Sequence, residues 1–392
     1  MMVMTRYVGA GEAARLLGVQ RATLYAYVSR GLIDRRVAVD GRTSLYAVDD
    51  VESLAGRVRR RESEPRPSLD VQIATAITVL DEAGVTYFGH DVAELARTAT
   101  YEQVAELLWT GSLPDATDWP DPDPADVRLA SKITAAIGVH DVGNMVAVAG
   151  GLGARHLHDD PSIAARRLLS VAPNVLRVRP AKDIPPAGSV ASRLATAWHA
   201  GPTPELAQVL DRALVLLADH ELATSTLAVR VAASTRPGPY LAIAAGLATV
   251  QGVYHGGAAA QAYDLLVECE RAGAARDVVM RRLSAREKLP GFGHKIYVGD
   301  DPRLAPLLEI VGTLPDPNGR LDIVHDVLTE TGVRMTKRPN VDLGLAALTF
   351  VSGLPGDIPL FSVARIAGFA AHLREEMAER PVRFRGIARP RD

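Results

Sequence analysis

Apolar residues recur every three to four positions over most of the chain after Pro67, a spacing typical of amphipathic helices. Segments in which apolar and polar residues alternate, as they do in half-buried strands, are nearly absent. The chain has 392 residues, enough for two to three domains and a sizeable buried core. Because 47% of the residues are hydrophobic and only 23% are charged, wholesale disorder is excluded. We therefore predict a body of packed helices.

Four helices of this body have recognisable ends. They are predicted over Thr100–Trp109, from Thr203 through Leu217, over Ala258–Ala272 and over Pro359–Met377. Thr100, with Gln103 three residues later, predicts a capping box, and Gly273 predicts the end of the third helix. Two segments rich in proline or aspartate, Asp115–Asp126 and Pro173–Pro186, are predicted to be irregular.

No segment has the pattern of a membrane span or of a secretion signal. The longest nearly uninterrupted apolar stretch, Tyr240–Val250, is well short of the roughly 18 residues that a span needs. The first residues lack a basic and then apolar pattern with a cleavage site. Cys269 is the only cysteine, which excludes an intrachain disulfide and a multi-cysteine metal site. We expect a cytoplasmic protein without a membrane partner.

The first 64 residues differ in charge from the rest of the chain. They contain 11 Arg and 8 acidic residues, a net charge of +3, whereas the remainder has 33 Lys and Arg against 38 acidic residues. Two short helices are predicted on either side of Gly18, over Gly11–Leu17 and Gln20–Val28, and Asp40-Gly41 predicts a hairpin turn after them. Two short helices around a turn match a helix-turn-helix.

Residues 1–64 resemble the DNA-binding head of MerR-type and excisionase-type winged helix-turn-helix proteins. The resemblance is carried by AARLLGVQRATLYAYVSRGLI and then GRTSLY. It implies a DNA-contacting set in which Arg42 reaches phosphates and the others face the major groove: Gln20, Arg21, Thr23, Tyr25 and Arg42. A small helical cap that does not bind DNA is the alternative. Residues 65–69, which include Pro65 and Pro67, are predicted to be a linker.

Three histidines and one aspartate have the surroundings of acid–base groups. His220 lies in ADHELATST, His255 in VYHGGA, His294 in PGFGHKIY and Asp342 in RPNVDL. Glycine beside a histidine lets backbone and ligand approach the imidazole closely. Such a set suits general acid–base catalysis, although any one histidine could instead be structural.

Three arginines in or near these segments suit the binding of carboxylates. They are Arg303 in DPR, Arg365 in VAR and Arg389 in ARPR. A guanidinium group binds a carboxylate through two parallel hydrogen bonds, so a set of arginines predicts a di- or tricarboxylate substrate. Each arginine could alternatively form a surface ion pair.

Other motif matches fail. GFGHKI lacks the third glycine of a dinucleotide fingerprint, and HELAT has Thr where a zinc metalloprotease has its second histidine. His156–Asp160 could bind a cation, or could be a solvated loop. We predict neither a metal nor a redox cofactor.

The ordered motifs HELATST, YHGGA, LPGFGHKIY–DPR, RPNVD, FSVARIAGFAAHLREEM and ARPR resemble the citrate synthase family, over about Val71 to Arg391. The resemblance implies a mainly helical fold with a large domain, residues 70–257 and 366–392, and a small domain, residues 258–365. It implies a homodimer and the condensation of oxaloacetate with acetyl-CoA, a reaction of the tricarboxylic acid cycle. Acetyl-CoA is then a substrate, and no cofactor is implied.

The resemblance also implies a role for each motif. Asp342 would remove a proton from the thioester methyl group, His255 would stabilise the enol, and His294 would polarise or protonate the ketone. The oxaloacetate carboxylates would be held by His220, Arg303, Arg365 and Arg389, with Arg389 reaching across from the partner subunit. CoA would lie against Leu289, Pro290, Gly291, Phe292 and Gly293.

Two departures from the family pattern leave alternatives open. Leu343-Gly344 follows Asp342 where an aromatic residue is usual, and these side chains could widen the acyl pocket. Both acetyl-CoA and propionyl-CoA are therefore possible substrates. The helix-turn-helix head is not part of the common enzyme, so the alternative to an enzyme is a DNA-binding regulator whose synthase-like body senses metabolites.

Overall fold

A computed structural model provides the structure of the protein. It describes residues 7–17, 19, 21–29, 32–38, 43–51, 72–81, 84–138, 141–178, 184–185, 187–252, 255–294, 296–297 and 299–385. The chain divides into two compact units, Met1–Ala74 and Thr75–Asp392. Within the described ranges, none of the helices combines the length and the apolar character that crossing a membrane requires.

The first unit is a small mixed fold. In chain order it contains β1 Tyr7–Gly9, α1 Ala10–Leu17, α2 Arg21–Ser29, β2 Arg35–Val37 and β3 Ser44–Ala47. The strands form an antiparallel sheet in the order β1-β3-β2. Ala13, Leu24 and Tyr46 are fully buried in a shared cluster. Both predicted helices are confirmed, β1 was not predicted, and the Asp40-Gly41 turn lies outside the described residues.

The second unit is built mainly from helices, as the sequence predicts. They are α3 Val92–Thr98, α4 Tyr101–Thr110, α5 Pro124–Ile137, α6 Val142–Arg155, α7 Pro161–Val175, α8 Val190–Trp198, α9 Pro204–Leu217, α10 Thr224–Ser234, α11 Pro239–Val250, α12 Ala258–Ala272, α13 Ala275–Ser284, α14 Leu304–Val311, α15 Arg320–Arg334, α16 Val341–Ser352 and α17 Leu360–Met377. All four helices with predicted ends are present. Thr100 and Gln103 form the capping box, and Gly273 ends α12 in the left-handed conformation.

Two predicted irregular segments are partly wrong. Helix α5 begins at Pro124, because the Asp123 side chain caps it by accepting a hydrogen bond from the Ala125 amide, so Asp126 is helical. Pro173 lies inside α7, close to its end. Burial of α7 in the core outweighs the loss of one proline amide near the helix terminus.

A small antiparallel sheet precedes the helices and was not predicted. It consists of β4 Thr78–Asp81, β5 Gly84–Tyr87 and β6 His90–Asp91 in sequential order. Thr78 pairs with Tyr87, and both side chains are buried. These two residues contact the turn that follows α9, so the sheet supports a segment of the candidate site.

Helices α16 and α17 lie in the centre of the core. Almost every residue of α16 and of the first four turns of α17 is buried. A helix that is apolar on all sides is stable in water only when other elements surround it. Asp342 and Arg365 are therefore held on rigid, fully packed helices.

Candidate active site

His220 and His294 meet although they come from distant segments. His220 lies in the turn after α9, where Glu221 has a positive φ of 52°, and His294 follows Gly293. The two ring centroids are 5.5 Å apart. Tyr297 joins them, with its hydroxyl 2.8 Å from His220 Nε2 and its ring stacked on His294 at 4.5 Å.

Arg303 is buried beside these rings and is paired with Asp301, a residue not predicted for the site. Its Nε and Nη2 atoms donate to the two carboxylate oxygens of Asp301, at 2.9 and 2.8 Å. Asp301 also accepts a hydrogen bond from the Val341 amide at 3.0 Å. Burial acts to raise the pKa of Asp301, but the hydrogen bonds and charge of Arg303 outweigh it and hold that pKa below its ordinary value. Arg303 is therefore connected through Asp301 to Val341, the first residue of α16.

Arg365 is buried, and the described residues offer it no acidic partner within ion-pair distance. Its Nε atom donates to the Leu217 carbonyl at 3.1 Å, and its guanidinium carbon lies 4.6 Å from the centre of the Phe361 ring. Nη1 and Nη2 are buried and have no hydrogen-bond partner among the same residues. Burial lowers the pKa of Arg365, although the charge of Asp219 acts in the opposite direction. A buried cation with unsatisfied donors is costly unless an anion binds it.

Asp342 is the second residue of α16. Its amide donates to the Asn340 side chain at 3.0 Å, which caps the helix. Burial raises the pKa of the Asp342 carboxyl to about 6, while the charge of Arg303 lowers it and that of Asp301 raises it. The group therefore has the properties of a general base at neutral pH.

The two neighbouring histidines are kept neutral. Burial, followed by the charges of Arg303, Arg365 and His294, lowers the pKa of His220 well below its ordinary value. Burial and the charge of Arg303 also lower the pKa of His294. A neutral imidazole can donate one hydrogen bond and accept another, as acid–base chemistry on an uncharged ketone requires.

His255 is connected to Arg365 through Phe361. The His255 ring lies 6.1 Å from the Phe361 ring, and its Nε2 atom is 2.9 Å from the Ser225 hydroxyl oxygen at the start of α10. The structure thus links five predicted residues in one region: His220, His255, His294, Arg303 and Arg365. Arg389, the fourth predicted carboxylate ligand, lies outside the described residues.

The predicted CoA segment Leu289–Gly293 is joined to the residues before α16. The Asn340 amide donates to the Gly291 carbonyl at 3.0 Å, and the Asn340 side chain donates to the Gly293 carbonyl at 2.8 Å. Gly291 has a φ of 82°, and a Cβ atom there would lie 2.9 Å from Leu343 Cβ, so only glycine fits. The Leu289 and Phe292 side chains are buried in the core, which leaves backbone as the part of these residues that could meet a ligand.

Gly344 does not widen a pocket. A Cβ atom added there would lie 2.8 Å from Leu307 Cδ2 and 3.1 Å from Leu304 Cδ1, because α14 packs directly against α16. Leu343 is fully buried. The expectation that Gly344 enlarges an acyl pocket is therefore wrong: the space beside its Cα atom is occupied by α14.

Two further sets of predicted residues belong to other parts of the chain. In the first unit Thr23 and Tyr25 are exposed, whereas Gln20, Arg42 and the Arg21 side chain lie outside the described residues. In the second unit the side chains of the possible cation loop already have protein partners: His156 Nε2 lies 2.8 Å from Asp126, and Asp159 accepts from Arg167. Over the described ranges, no group of histidine, cysteine and acidic side chains could hold a metal ion.

Asp301, Tyr297 and Phe361 are among the site residues to which no role was assigned from the sequence. All three lie inside recognisable motifs, DPR, GFGHKIY and FSVAR. Their contacts, however, include residues remote in the chain, for which a linear motif carries no signal.

Comparison with known proteins identifies the family. The family described as "Citrate synthase, C-terminal domain" matches residues 70–391. Citrate synthase from Mycolicibacterium smegmatis is 29% identical over 334 residues, which cover 78% of this chain and 88% of that protein. The 2-methylcitrate synthase of Shewanella oneidensis is 28% identical over 357 residues, with 84% and 93% covered.

A solved structure shows the same fold. Citrate synthase from Thermoplasma acidophilum superposes with a TM-score of 0.68 at 23% identity, over 82% of this chain and 95% of that one. The family match covers most of the chain, and the fold agrees with it. The chain therefore belongs to the citrate synthase family and is an enzyme of that type, an acyltransferase that converts the acyl group into an alkyl group on transfer.

Proposed function

We propose that the chain condenses oxaloacetate with a short acyl-CoA, either acetyl-CoA or propionyl-CoA, and hydrolyses the resulting thioester to citrate or 2-methylcitrate. Relatives named for both reactions support this range of substrates. The Thermoplasma acidophilum structure is a ternary complex with carboxymethyl coenzyme A and oxaloacetate, the same two classes of ligand. The observation that carries the proposal is the buried Arg365 guanidinium, whose Nη1 and Nη2 donors lack a partner among the described residues.

Oxaloacetate matches the charge of this region. Arg365 offers two unsatisfied donors, and Arg303 uses Nε and Nη2 on Asp301, which leaves its Nη1 atom for a substrate. His220, which is neutral, can add a hydrogen bond. We propose that these three residues hold the two carboxylates, with Arg389 of the partner subunit in a homodimer as the fourth ligand. A bound dianion would offset the cost of burying the two cations.

Asp342 is proposed as the base that removes a proton from the carbon next to the thioester. That carbon is a very weak acid, and a carboxylate is too weak a base to deprotonate it efficiently without further stabilisation of the product. His255 would donate a hydrogen bond to the thioester oxygen, where negative charge develops. His294 would donate to the ketone oxygen as the new carbon–carbon bond forms. No step requires a cofactor other than the acyl-CoA substrate.

CoA is proposed to lie against the backbone of Leu289–Gly293, which hydrogen bonds join to the residues before Asp342. We propose a large domain, residues 70–257 and 366–392, and a small domain, residues 258–365, that closes over the bound substrates. Closure would exclude water, which otherwise reprotonates the enol before it reacts with the ketone.

The test is oxaloacetate-dependent release of CoA from acetyl-CoA and from propionyl-CoA. We expect turnover with at least one thioester, and we expect Asp342→Asn to lower kcat by several orders of magnitude while the protein stays folded. An asparagine side chain has nearly the size and shape of the aspartate it replaces, which makes this variant a close structural match. No CoA release with either thioester, or near-normal turnover by the folded variant, would contradict the proposal.

We also propose that residues 1–64 form a winged helix-turn-helix that binds DNA through Gln20, Arg21, Thr23, Tyr25 and Arg42. Exposure of Thr23 and Tyr25 on α2 supports this. A titration of the full chain against DNA at two salt concentrations tests it, with a Thr23→Ala/Tyr25→Ala variant as the control. If the full chain binds no DNA at low salt, residues 1–64 would be a helical cap that does not bind DNA. A regulator without enzyme activity is not favoured, because the chain belongs to a family of enzymes.

A further inference from the structure

Tyr297 contacts three residues of the proposed oxaloacetate site. Its hydroxyl lies 2.8 Å from His220 Nε2, its ring is stacked on His294 at 4.5 Å, and the Arg303 guanidinium carbon lies 5.8 Å from its ring centre. It is half-buried and lies between His294 and Arg303 in the chain. One side chain thus connects the three groups.

The backbone of the same segment determines which nitrogen of His294 carries its proton. His294 Nδ1 lies 3.1 Å from the Ile296 amide and 3.3 Å from the Tyr297 amide, and both amides are donors. Nδ1 must therefore accept, and in the neutral ring the proton lies on Nε2. Nε2 is then the atom that can donate to a ketone oxygen.

The hydroxyl of Tyr297 makes the corresponding contact with His220. Burial raises the pKa of Tyr297 to about 12, against the opposing charge of Arg303, so the phenol is protonated at neutral pH. The His220 imidazole is neutral, because its pKa is lowered well below the ordinary value by burial. A protonated phenol and a neutral imidazole can share one hydrogen bond. This bond opposes rotation of the His220 ring about its χ2 angle.

We propose that Tyr297 is a positioning residue for both histidines: its hydroxyl orients His220, and its ring and amide orient His294. This inference rests on the proposed function, which assigns His220 to oxaloacetate binding and His294 to the ketone. The two contacts are chemically separable, because a phenylalanine keeps the ring and removes only the hydroxyl. Loss of the hydroxyl should therefore weaken the binding of oxaloacetate, and loss of the ring should also lower kcat.

Steady-state kinetics of Tyr297→Phe and Tyr297→Leu test the inference. For Tyr297→Phe we expect the KM for oxaloacetate to rise about tenfold, which is the effect expected from the loss of one hydrogen bond. The kcat should stay within about threefold of the unmodified protein, and the KM for acyl-CoA should not change. For Tyr297→Leu we expect kcat to fall by about tenfold or more in addition, because His294 loses its stacking partner. The matched control is Tyr240→Phe, which removes a phenol hydrogen bond to Asp159 away from the site and should change neither constant.

Two results would overturn the inference. One is an unchanged KM for oxaloacetate in Tyr297→Phe. The other is a lower kcat with a raised KM for both oxaloacetate and acyl-CoA, together with a lower melting temperature, which would indicate a structural role only. If the unmodified protein releases no CoA, calorimetric titration with oxaloacetate replaces kinetics. Weaker binding by Tyr297→Phe than by the unmodified protein would then support the inference even though the proposed reaction had failed, and equal binding would overturn it.

Discussion

Two buried arginines of the candidate site differ in their partners. Arg303 is paired with Asp301 through two hydrogen bonds, whereas the Nη1 and Nη2 atoms of Arg365 have no partner among the described residues. The first arginine is therefore paired even without a ligand, and the second has two donors available to a ligand. Substitution of each arginine should therefore separate a role in fold stability from a role in oxaloacetate binding.

Arg365→Leu should weaken oxaloacetate binding by about 2–4 kcal/mol, because it removes a charge-assisted contact. Its melting temperature should not fall much, since the variant also removes a buried charge. Arg303→Leu should in contrast destabilise the fold by about 3–5 kcal/mol, because it leaves the Asp301 carboxylate buried and unpaired. Thermal unfolding and oxaloacetate titration of both variants check this, with Arg303→Leu/Asp301→Leu as the stability control. Equal binding and stability changes in both single variants would refute the distinction.

The pH dependence of turnover should report Asp342. Burial raises its pKa to about 6, and a base is active only when deprotonated, so kcat/KM should fall as pH decreases through about 6. The pKa of His220 is lowered well below its ordinary value, so this imidazole should stay neutral, and burial also lowers the pKa of His294. Rates measured from about pH 5 to pH 8 would show the decrease. The midpoint should move in Asp342→Glu, and a midpoint that stays in place would assign it to another group.

At the scale of elements, close packing of α14 against α16 holds the paired Arg303 and the base together. Arg303 precedes α14, Asp342 lies in the first turn of α16, and Gly344 is where the two helices touch. A glycine at this contact allows the helix backbones to approach, which a larger side chain would prevent. The distance between the helices thus depends on the lack of a side chain at one position.

Gly344→Ala should destabilise the protein by about 1–3 kcal/mol, because the added Cβ atom overlaps the buried Leu307 side chain. Combination with Leu307→Val should recover part of the loss, since the shorter side chain provides room. Urea unfolding of the two single variants and the double variant measures this coupling. Strict additivity of the two changes would show that the side chains do not touch.

A second element-scale feature is a pair of carboxylates between α4 and α9. Asp211 Oδ1 accepts from the Tyr101 amide at 3.2 Å, and Glu102 accepts from the Val190 amide at 2.7 Å. Burial, and then the charge of Glu102, raises the pKa of Asp211 to about 7. The folded state therefore binds this proton more tightly than the unfolded chain does.

This pair should make the protein less stable as pH rises. The contribution of Asp211 is present below its unfolded pKa of about 4 and is lost as pH increases through about 7. Asp211→Asn keeps the acceptor for the Tyr101 amide and cannot ionise. Free energies of unfolding measured at about pH 5 and pH 8 should fall less with pH in this variant than in the unmodified protein. If the free energies of unfolding of the two proteins depended equally on pH, the raised pKa of Asp211 would be contradicted.

At the scale of the whole molecule, the chain consists of two units with separate cores. The first unit has its own buried cluster around Leu24 and Tyr46, and none of the proposed catalytic residues lies in it. The family match begins at residue 70. The catalytic chemistry should therefore be independent of the first unit.

Deletion of residues 1–66 should leave oxaloacetate-dependent CoA release within roughly tenfold of the full chain, a barrier change of about 1.4 kcal/mol. The same deletion should abolish any binding to DNA. CoA-release assays and DNA titrations of the two proteins, with circular dichroism as the folding control, check both parts. A folded truncated protein without synthase activity would show that the first unit belongs to the enzyme.

Local sequence signals predicted much of the helical framework. The capping box of Thr100 and Gln103, the end of α12 at Gly273 and the span of α17 depend on residues within one or two turns of each other. The sheet containing Thr78 and Tyr87 was missed, because its strands have only two to four residues each, too few for an alternating pattern to be recognised in the sequence.

The helical class, the family and the candidate residues His220, His255, His294 and Asp342 could all be predicted from the sequence. Each of these four residues lies in a short motif that can be recognised without knowledge of its spatial neighbours. The folded structure was needed to show that Arg303 is paired, that two Arg365 donors have no partner among the described residues, that Tyr297 connects two histidines, and that Gly344 is a helix contact. Ion pairing, burial and close packing depend on atoms contributed by distant parts of the chain. A linear motif records which groups are available, and folding determines which of them meet.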